Sequence, residues 1–490
     1  MDDYTRPTSW PSVRCLAALP LLLAQCALVH ATVPVRLSSF LRLALVPPTL
    51  VLALSAPWHD AFEPRERCRA INAVLAMVSV YAGWKALEWG LVQDRTVYAW
   101  VGCAEKNGGR RDEAREPHAP SRPPARKVDW TQTIRLVADT LHLFTSIRGT
   151  GYAFSVVPAR RRRRVDQTTF LLHTFIALAW SHSILLLCSV VISTPYGTRF
   201  DFATQFLPRL SPFHAHILIE SAAYVAFGLG AWTGIVSFSC ITNILSFAVH
   251  SSFLALELPP AVRPAPFDSR HYAPMFDMPF TPRSVGKYWA SQWHRLFWRS
   301  FKFLAYDPVE RFVRPIAGRD AAKAAGSLAV FALSAAAHEY GVPAYTLSFQ
   351  THTDRDSHRT AIWCATHGVS PPSPRTTFLE RFGATLFFLL MGILGVAERI
   401  YTHVTGFRIR GFGAFVWTSS LQSLVGLLLY RSWCVPPRLH PLRDDLTSTN
   451  YRANLGFTLS LPLVDQWAWQ RWAVPLACLA PRPLWVLRAE

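Results

Sequence analysis

The sequence predicts an all-α protein that crosses a lipid bilayer many times, and three observations predict it. Hydrophobic residues make up 51% of the 490 and charged residues only 17%, against roughly 25% charged in an average soluble domain. Apolar stretches close to the ~20 residues that a helix needs to cross the hydrocarbon core recur along the chain. Basic residues collect in the connections between those stretches, where the positive-inside rule puts them in the cytosol. Counting the stretches gives about eight to ten spans. The fold class is therefore polytopic and helical, with no soluble domain large enough to act alone.

Each element follows from local pattern. The first apolar stretch, Val13 to Val33, is long for a signal-peptide core and lacks an obvious cleavage site, so it reads as a retained span. The second, Leu41 to Trp58, holds Pro47 and Pro48; neighbouring helices in a membrane re-satisfy the carbonyls that prolines free. The third, Ile71 to Leu91, carries Lys85 and Glu88 near its end. Residues 93–166 change character. Glu105 to Val128 is rich in Arg, Glu, Pro and Gly and reads as solvated chain. Ile134 to Phe144 has the spacing of an amphipathic helix lying on the membrane surface. The Arg160–Arg164 run stands before the next span as a topology anchor.

Spans resume at Thr168–Ile192. The block His214–Phe253 is long enough for two, but the loops at 93–166 and 257–319 are the most basic and both belong in the cytosol. The block therefore crosses once, with a re-entrant or interfacial piece. Ala321–Leu347, Phe378–Val396 and Gly411–Trp433 follow, and Trp472–Leu487 gives the tail a possible last span. The chain thus divides into N-terminal spans (1–92), a basic cytosolic loop with an interfacial helix (93–166), a core of spans (167–434) and a tail (435–490).

The net charge of +19 does not point to nucleic acid, because its basic residues lie in inter-span connections. None of the nine cysteines has CxxC spacing, and most sit in apolar surroundings as small hydrophobes. His352, His358 and His367 with Asp354 and Asp356 match no metal-site spacing, so no metal is predicted.

Two segments carry chemistry. The span Ala321–Leu347 has small residues in its first half, which lets helices approach closely, and His338 and Glu339 stand within it. At ~1.5 Å per residue, His338 lies about 25 Å from the cytosolic end of that span. Ionisable groups at such depth face a polar cavity or a partner. A buried imidazole is held neutral and can accept a proton from a hydroxyl; a histidine bonded to a backbone carbonyl is the plainer alternative. The second segment is Tyr272–Tyr306. From Ser284 onward Trp289, Trp293, Leu296, Phe297, Phe301 and Leu304 recur three to four residues apart, which predicts an amphipathic helix. Lys287, Arg295, Arg299 and Lys302 lie near its other face. This helix is either an interfacial anchor or the cytosolic mouth for a phosphate-bearing ligand.

Together these residues resemble the wax-synthase-like branch of the membrane-bound O-acyltransferase superfamily. Members carry a W-P-P-[LM]-F-type element, matched by Tyr272-Ala273-Pro274-Met275-Phe276. An F-W-x-x-R-W-H-x-x-F/L-R-type helix follows, matched from Tyr288-Trp289 through Gln292-Trp293-His294-Arg295 to Phe297. About 40 to 45 residues on, the family has an intramembrane His often followed by Glu, as in His338-Glu339. Arg148-Gly149-Thr150-Gly151-Tyr152 resembles the family's upstream R-G-I-G-W element. The chain departs at Tyr272-Ala273, at Thr150 and Tyr152, and at Gln292, where Arg is common; these changes bear on substrate size and shape.

The resemblance implies a membrane-bound O-acyltransferase fold and transfer of an acyl group from acyl-CoA to a hydrophobic alcohol. It gives His338 the role of general base and His294 a supporting one, positioning substrate or stabilising the oxyanion. Trp293, Arg295 and Arg299 would shape the CoA entrance, with Glu339 also at the substrate. It implies no bound cofactor or metal, acyl-CoA as co-substrate, membrane lipid as surroundings and the endoplasmic reticulum as location. Similarity to fungal members that acylate terpenoids and other secondary metabolites implies acetyl-CoA. Two rival readings remain: a transporter with Lys85, Glu88, Glu220, His338 and Glu339 along a pathway, and a relative that has lost activity and serves as a scaffold. The absence of an internal repeat disfavours the transporter.

Overall fold

The computed structural model describes residues 16–59, 69–98, 130–146, 149, 152–155, 164–193, 203, 205–255, 267–272, 274–277, 279–293, 295–366, 378 and 382–434. The described residues are mostly helical, and six helices among them are long and apolar enough to cross a membrane. This is an all-α, multi-pass membrane protein.

Three N-terminal helices pack together: α1 (Ala18–Val29), α2 (Val35–His59) and α3 (Arg69–Leu91). α1 has only 12 residues, about 18 Å at ~1.5 Å per residue, so it is shorter than the span expected over 13–33. α2 stays helical through Pro47, Pro48 and Pro57. Its Arg42 is 1% exposed and has a clear reason to be there. The guanidinium donates to the carbonyls of Trp89 (2.6 Å) and Val92 (3.0 Å), at the end of α3 where helical carbonyls lack intrahelical partners. Gln25 of α1 donates to the Arg42 carbonyl at 3.0 Å. A costly charge in an apolar span is thus used to close a helix end.

The helix expected over 134–144 forms as α4 (Trp130–Thr145); its Asp139 meets His30 at 3.1 Å. The solvated loop read over 105–128 lies outside the described residues, as does the 435–490 tail. α5 (Gln167–Ser193) and α6 (Pro212–Ala255) run antiparallel, with Phe170 on Phe247 and the Ser181 and Ser237 hydroxyls 2.8 Å apart. Residues 213–252 form one candidate span rather than two, and no re-entrant turn interrupts it. α6 is one unbroken helix of 44 residues, about 66 Å long; it carries Gly228, Gly230 and Gly234 within its apolar pattern, and no proline follows Pro212 to break it.

The Tyr272–Tyr306 segment corrects a second expectation. A continuous amphipathic helix does not form. α7 (Val285–Lys287) runs into a π turn over Tyr288–Gln292, and the backbone is extended at Trp293 (φ −73°, ψ 166°). α8 (Trp298–Phe301) then enters a second π turn (Lys302–Tyr306) and α9 (Asp307–Thr366). Inside α9, Gly318 has φ 81° and ψ 178°, a backbone open essentially to glycine. There the chain doubles back. Tyr306 lies so close to Gly326 that a Cβ on the glycine would meet its ring at 3.0 Å, and Phe297, Phe301 and Leu304 pack near Leu333, Ala337 and Tyr340. The stretch 298–341 is therefore two antiparallel legs rather than one crossing. The returning leg, 319–341, is about 34 Å long, enough to span alone. α10 (Gly383–Thr405) and α11 (Gly411–Cys434) complete the described helices.

Of the nine cysteines, Cys26, Cys188 and Cys240 are among the described side chains; they are free and buried in apolar surroundings, as expected of small hydrophobes. The polar cluster His352, Asp354, Asp356, His358 and His367 lies outside the described side chains.

Candidate active site

Four consecutive residues of α9 are each fastened to a neighbour. Ala337 packs with Val80 and Trp84 of α3. The His338 ring lies 4.1 Å from the Phe388 ring of α10. Glu339 accepts a hydrogen bond from the Thr385 hydroxyl of α10 at 2.8 Å. Tyr340 donates its hydroxyl hydrogen to the Leu54 carbonyl of α2. This turn of helix is held from three sides, which limits the rotation of His338.

The tautomer of His338 follows from its partner. Nδ1 lies 2.8 Å from the Ser334 carbonyl, and a carbonyl can only accept. Nδ1 therefore carries the proton, and Nε2 is the proton-accepting atom of the ring. The bland reading of this histidine, a bond to a backbone carbonyl, and the catalytic reading are one arrangement: that bond prepares the base.

The broken motif segment builds the wall beside it. Trp289 sits on the π turn among Phe331 of α9 and Phe387 and Phe388 of α10, with ring centroids 5.8–6.0 Å apart. Trp293 follows at 5.9 Å from Trp289 and rests on Phe276 at 5.0 Å. The break at residues 293–297 is what lets Trp289 face α10 while Phe297 and Phe301 face Trp84 of α3. Gln292, 5% exposed, donates its side-chain amide N–H to the Thr281 carbonyl at 2.9 Å while its main-chain carbonyl accepts from the Asp277 N–H at 3.0 Å. Its side chain thus ties the Pro274–Thr281 loop to the π turn.

A second centre holds the start of α8. Glu88 of α3 is fully buried. Its carboxylate accepts from Lys85 Nζ (3.0 Å), the Tyr98 hydroxyl (2.7 Å), Arg299 Nε (3.3 Å) and the Ser300 hydroxyl (3.1 Å). The rings of Tyr81, Trp89 and Phe154 surround the Lys85 ammonium at 5.6–5.9 Å, and Tyr98, Phe154 and Phe303 flank the Arg299 guanidinium. Phe154 stacks on Tyr152 of the upstream element, whose hydroxyl lies 2.7 Å from His142 Nδ1. Burial lowers the His142 pKa to about 4, so this ring is neutral at physiological pH.

The sequence-predicted residues therefore separate. Trp293 and His338 belong to one aromatic chamber, joined through Trp289 and Phe388. Glu339 bonds α10. Arg299 is engaged with Glu88, its side chain 15% exposed. Arg295 is half-buried, and His294 lies outside the described residues. Among the described residues no group of His, Cys, Asp and Glu could hold a metal ion. Sequence reasoning marked Lys85 and Glu88 as buried charges on a hypothetical pathway but did not pair them with Arg299. It missed Ser334, Trp289 as the wall, and Phe388. Only the wall left a signal, in the three- to four-residue aromatic spacing.

The model of the membrane bound O-acyl transferase family matches residues 272–356, from the loop under Trp293 through the leg that carries His338. The matched stretch, 85 of the 490 residues, is similar to that family. No curated protein matches the chain significantly.

Proposed function

We propose that this protein is an acyl-CoA-dependent O-acyltransferase that moves an acyl group, acetyl in the simplest case, onto the hydroxyl of a hydrophobic acceptor such as a terpenoid or lipid alcohol. The observation that carries the reading is the convergence of the motif segment and His338 on one buried aromatic chamber, with Nε2 of His338 as the proton-accepting atom. Nε2 takes the acceptor's hydroxyl proton as the oxygen attacks the thioester carbonyl. The tetrahedral intermediate then expels the CoA sulfur, which receives that proton from the imidazolium, so the histidine ends as it began. His294 supports the oxyanion or the substrate's position, Trp293 and Arg295 shape the CoA entrance, and Arg299 holds α8 against α3 at that entrance. The reaction would take place in the endoplasmic reticulum membrane.

The test is transfer of labelled acyl groups from acyl-CoA to candidate alcohols in microsomes. His338→Ala should lower transfer by about 10²–10⁴-fold, the usual size of general-base catalysis, and His294→Ala should slow it severely without abolishing it. Full transfer by a normally inserted His338→Ala protein would overturn the assignment.

A further inference from the structure

A cavity of about 850 Å³ lies between α5, α6 and the 269–281 loop, outside the chamber of His338. Pockets of ~300–1,000 Å³ suit drug-sized molecules. Its walls follow helical spacing: Phe170, His173, Thr174 and Ala177 on α5, and Trp232, Val236, Ser239 and Asn243 on α6. The two helices touch on either side, at Phe170–Phe247 and Ser181–Ser237, and the hollow opens between those contacts. Its remaining wall includes Phe276, the same ring that rests on Trp293.

Two features describe its ligand. The first is access. His173 and Phe280 line the cavity and are themselves exposed, and the α5 residues flanking His173 are Leu172, Phe175 and Ile176, each more than half exposed. An exposed apolar surface on a spanning helix is a lipid-facing one, so the mouth opens toward the bilayer. The second is polarity. The Ser239 hydroxyl belongs to a residue only 5% exposed. It lines the cavity and has no hydrogen-bond partner among the described residues. The same holds for the side chains of Asn243 and His173, also on the lining. Thr174 differs, since its hydroxyl returns to the Phe170 carbonyl at 2.7 Å. Unpartnered donors and acceptors at membrane depth carry a cost that an alkyl chain does nothing to offset.

We infer that this cavity binds the apolar body of the acceptor, and that the acceptor is a polycyclic or branched alcohol bearing several oxygen functions. The ligand arrives from the bilayer, its carbon skeleton fills the space between α5 and α6, and Ser239, Asn243 and His173 bond oxygens other than the one acylated. An acyl chain or a simple fatty alcohol would leave those three groups unsatisfied. The assignment rests on the acyltransferase reading for the name "acceptor", whereas the cavity and its polarity stand apart from it.

The experiment uses the full chain in lipid nanodiscs and three diazirine probes: a polycyclic monoalcohol, the same skeleton with two further oxygen functions, and a palmitoyl-CoA. Photolabelled sites are mapped by peptide mass spectrometry. The oxygenated polycycle should label residues 167–193 and 212–255 and half-saturate at a concentration about tenfold below the monoalcohol, the value of one or two added neutral hydrogen bonds. Asn243→Leu and Ser239→Ala should erode that preference without changing monoalcohol labelling, and Ala177→Trp should displace both polycycles by filling the space. Labelling of these helices by the palmitoyl probe instead, or a preference untouched by Asn243→Leu and Ser239→Ala, overturns the proposal. If labelling follows expectation but wild-type protein transfers no acyl group to any alcohol, the acyltransferase reading fails and the oxygenated-ligand site stands. If transfer proceeds while the polycycles label elsewhere, the site fails alone.

Discussion

Replacing Glu88 with Gln should cost this protein more than any surface substitution, and the cost can be worked from its contacts. The carboxylate has no exposed surface and lies between two cations, Lys85 at 3.0 Å and Arg299 at 3.3 Å. Gln preserves the shape and keeps one accepting oxygen for Tyr98 or Ser300, but it strands both positive charges in the interior. Removing one partner of a buried ion pair typically costs about 3–5 kcal/mol. The surrounding aromatic rings cannot replace the carboxylate, since each desolvated cation–π contact contributes only about 2 kcal/mol and is present in the wild type already. Tryptophan-fluorescence melting of purified protein in detergent would read the loss as a midpoint lowered by on the order of 5 °C or more. A double-mutant cycle with Lys85→Met isolates the pair, with an expected coupling of about 1–3 kcal/mol. A Glu88→Gln protein that melts with the wild type would mean that the cluster does not carry its charges as described.

Further outcomes follow from the same contacts. Trp289→Ala should destabilise by about 3–5 kcal/mol, as for other large aromatics removed from a packed core, and should lower kcat because the Phe388 ring beside His338 loses its support; Trp289→Phe should recover most of both in parallel melting and transfer assays. His142 gives a pH signature. Its folded pKa of about 4 lies below the ordinary value of 6.5 because burial disfavours the imidazolium, so below pH 6.5 the unfolded chain binds a proton that the folded chain refuses. Stability should therefore fall as pH drops from about 6.5 to 4, by at most about 2 kcal/mol at pH 5. His250 and His271, which also face this ring, oppose its protonation further. Melting of wild type and His142→Gln at pH 7 and pH 5 separates this contribution, because the variant should lose part of the acid sensitivity.

Which features were legible in the sequence depends on the range over which each one is encoded. Span placement is local: a run of apolar residues implies a membrane helix because the bilayer offers the backbone few alternatives. α2, α5, α10 and α11 accordingly fall close to where the pattern put them. His338 was legible for the same reason, since a lone imidazole in such a run demands an explanation. The 284–306 segment defeated the same logic. Its three- to four-residue aromatic spacing is that of an amphipathic helix, yet the side chains serve two different neighbours. Trp289 faces the phenyl rings of α10 and Phe297 and Phe301 face Trp84 of α3. No single straight helix satisfies both, and the chain breaks at Trp293 to do so.

Gly318 shows why the hairpin was equally hidden. A lone glycine inside a helical pattern is ordinarily tolerated at a cost of ~1 kcal/mol against alanine, and nothing in Ile316–Ala317–Gly318–Arg319 requires a reversal. The requirement comes from elsewhere in the chain. The cluster at Glu88 fixes Arg299 at the start of the outgoing leg, and Phe331, Thr385 and Phe388 fix the returning leg around His338. Both legs must then lie side by side between α3 and α10, and the chain must turn where a residue can adopt φ 81°. The buried ion cluster and the histidine chamber are thus linked through one glycine. The two centres hold their distance from each other only as long as the legs between them stay packed, which is a reason for chemistry in this protein to depend on residues that touch no substrate.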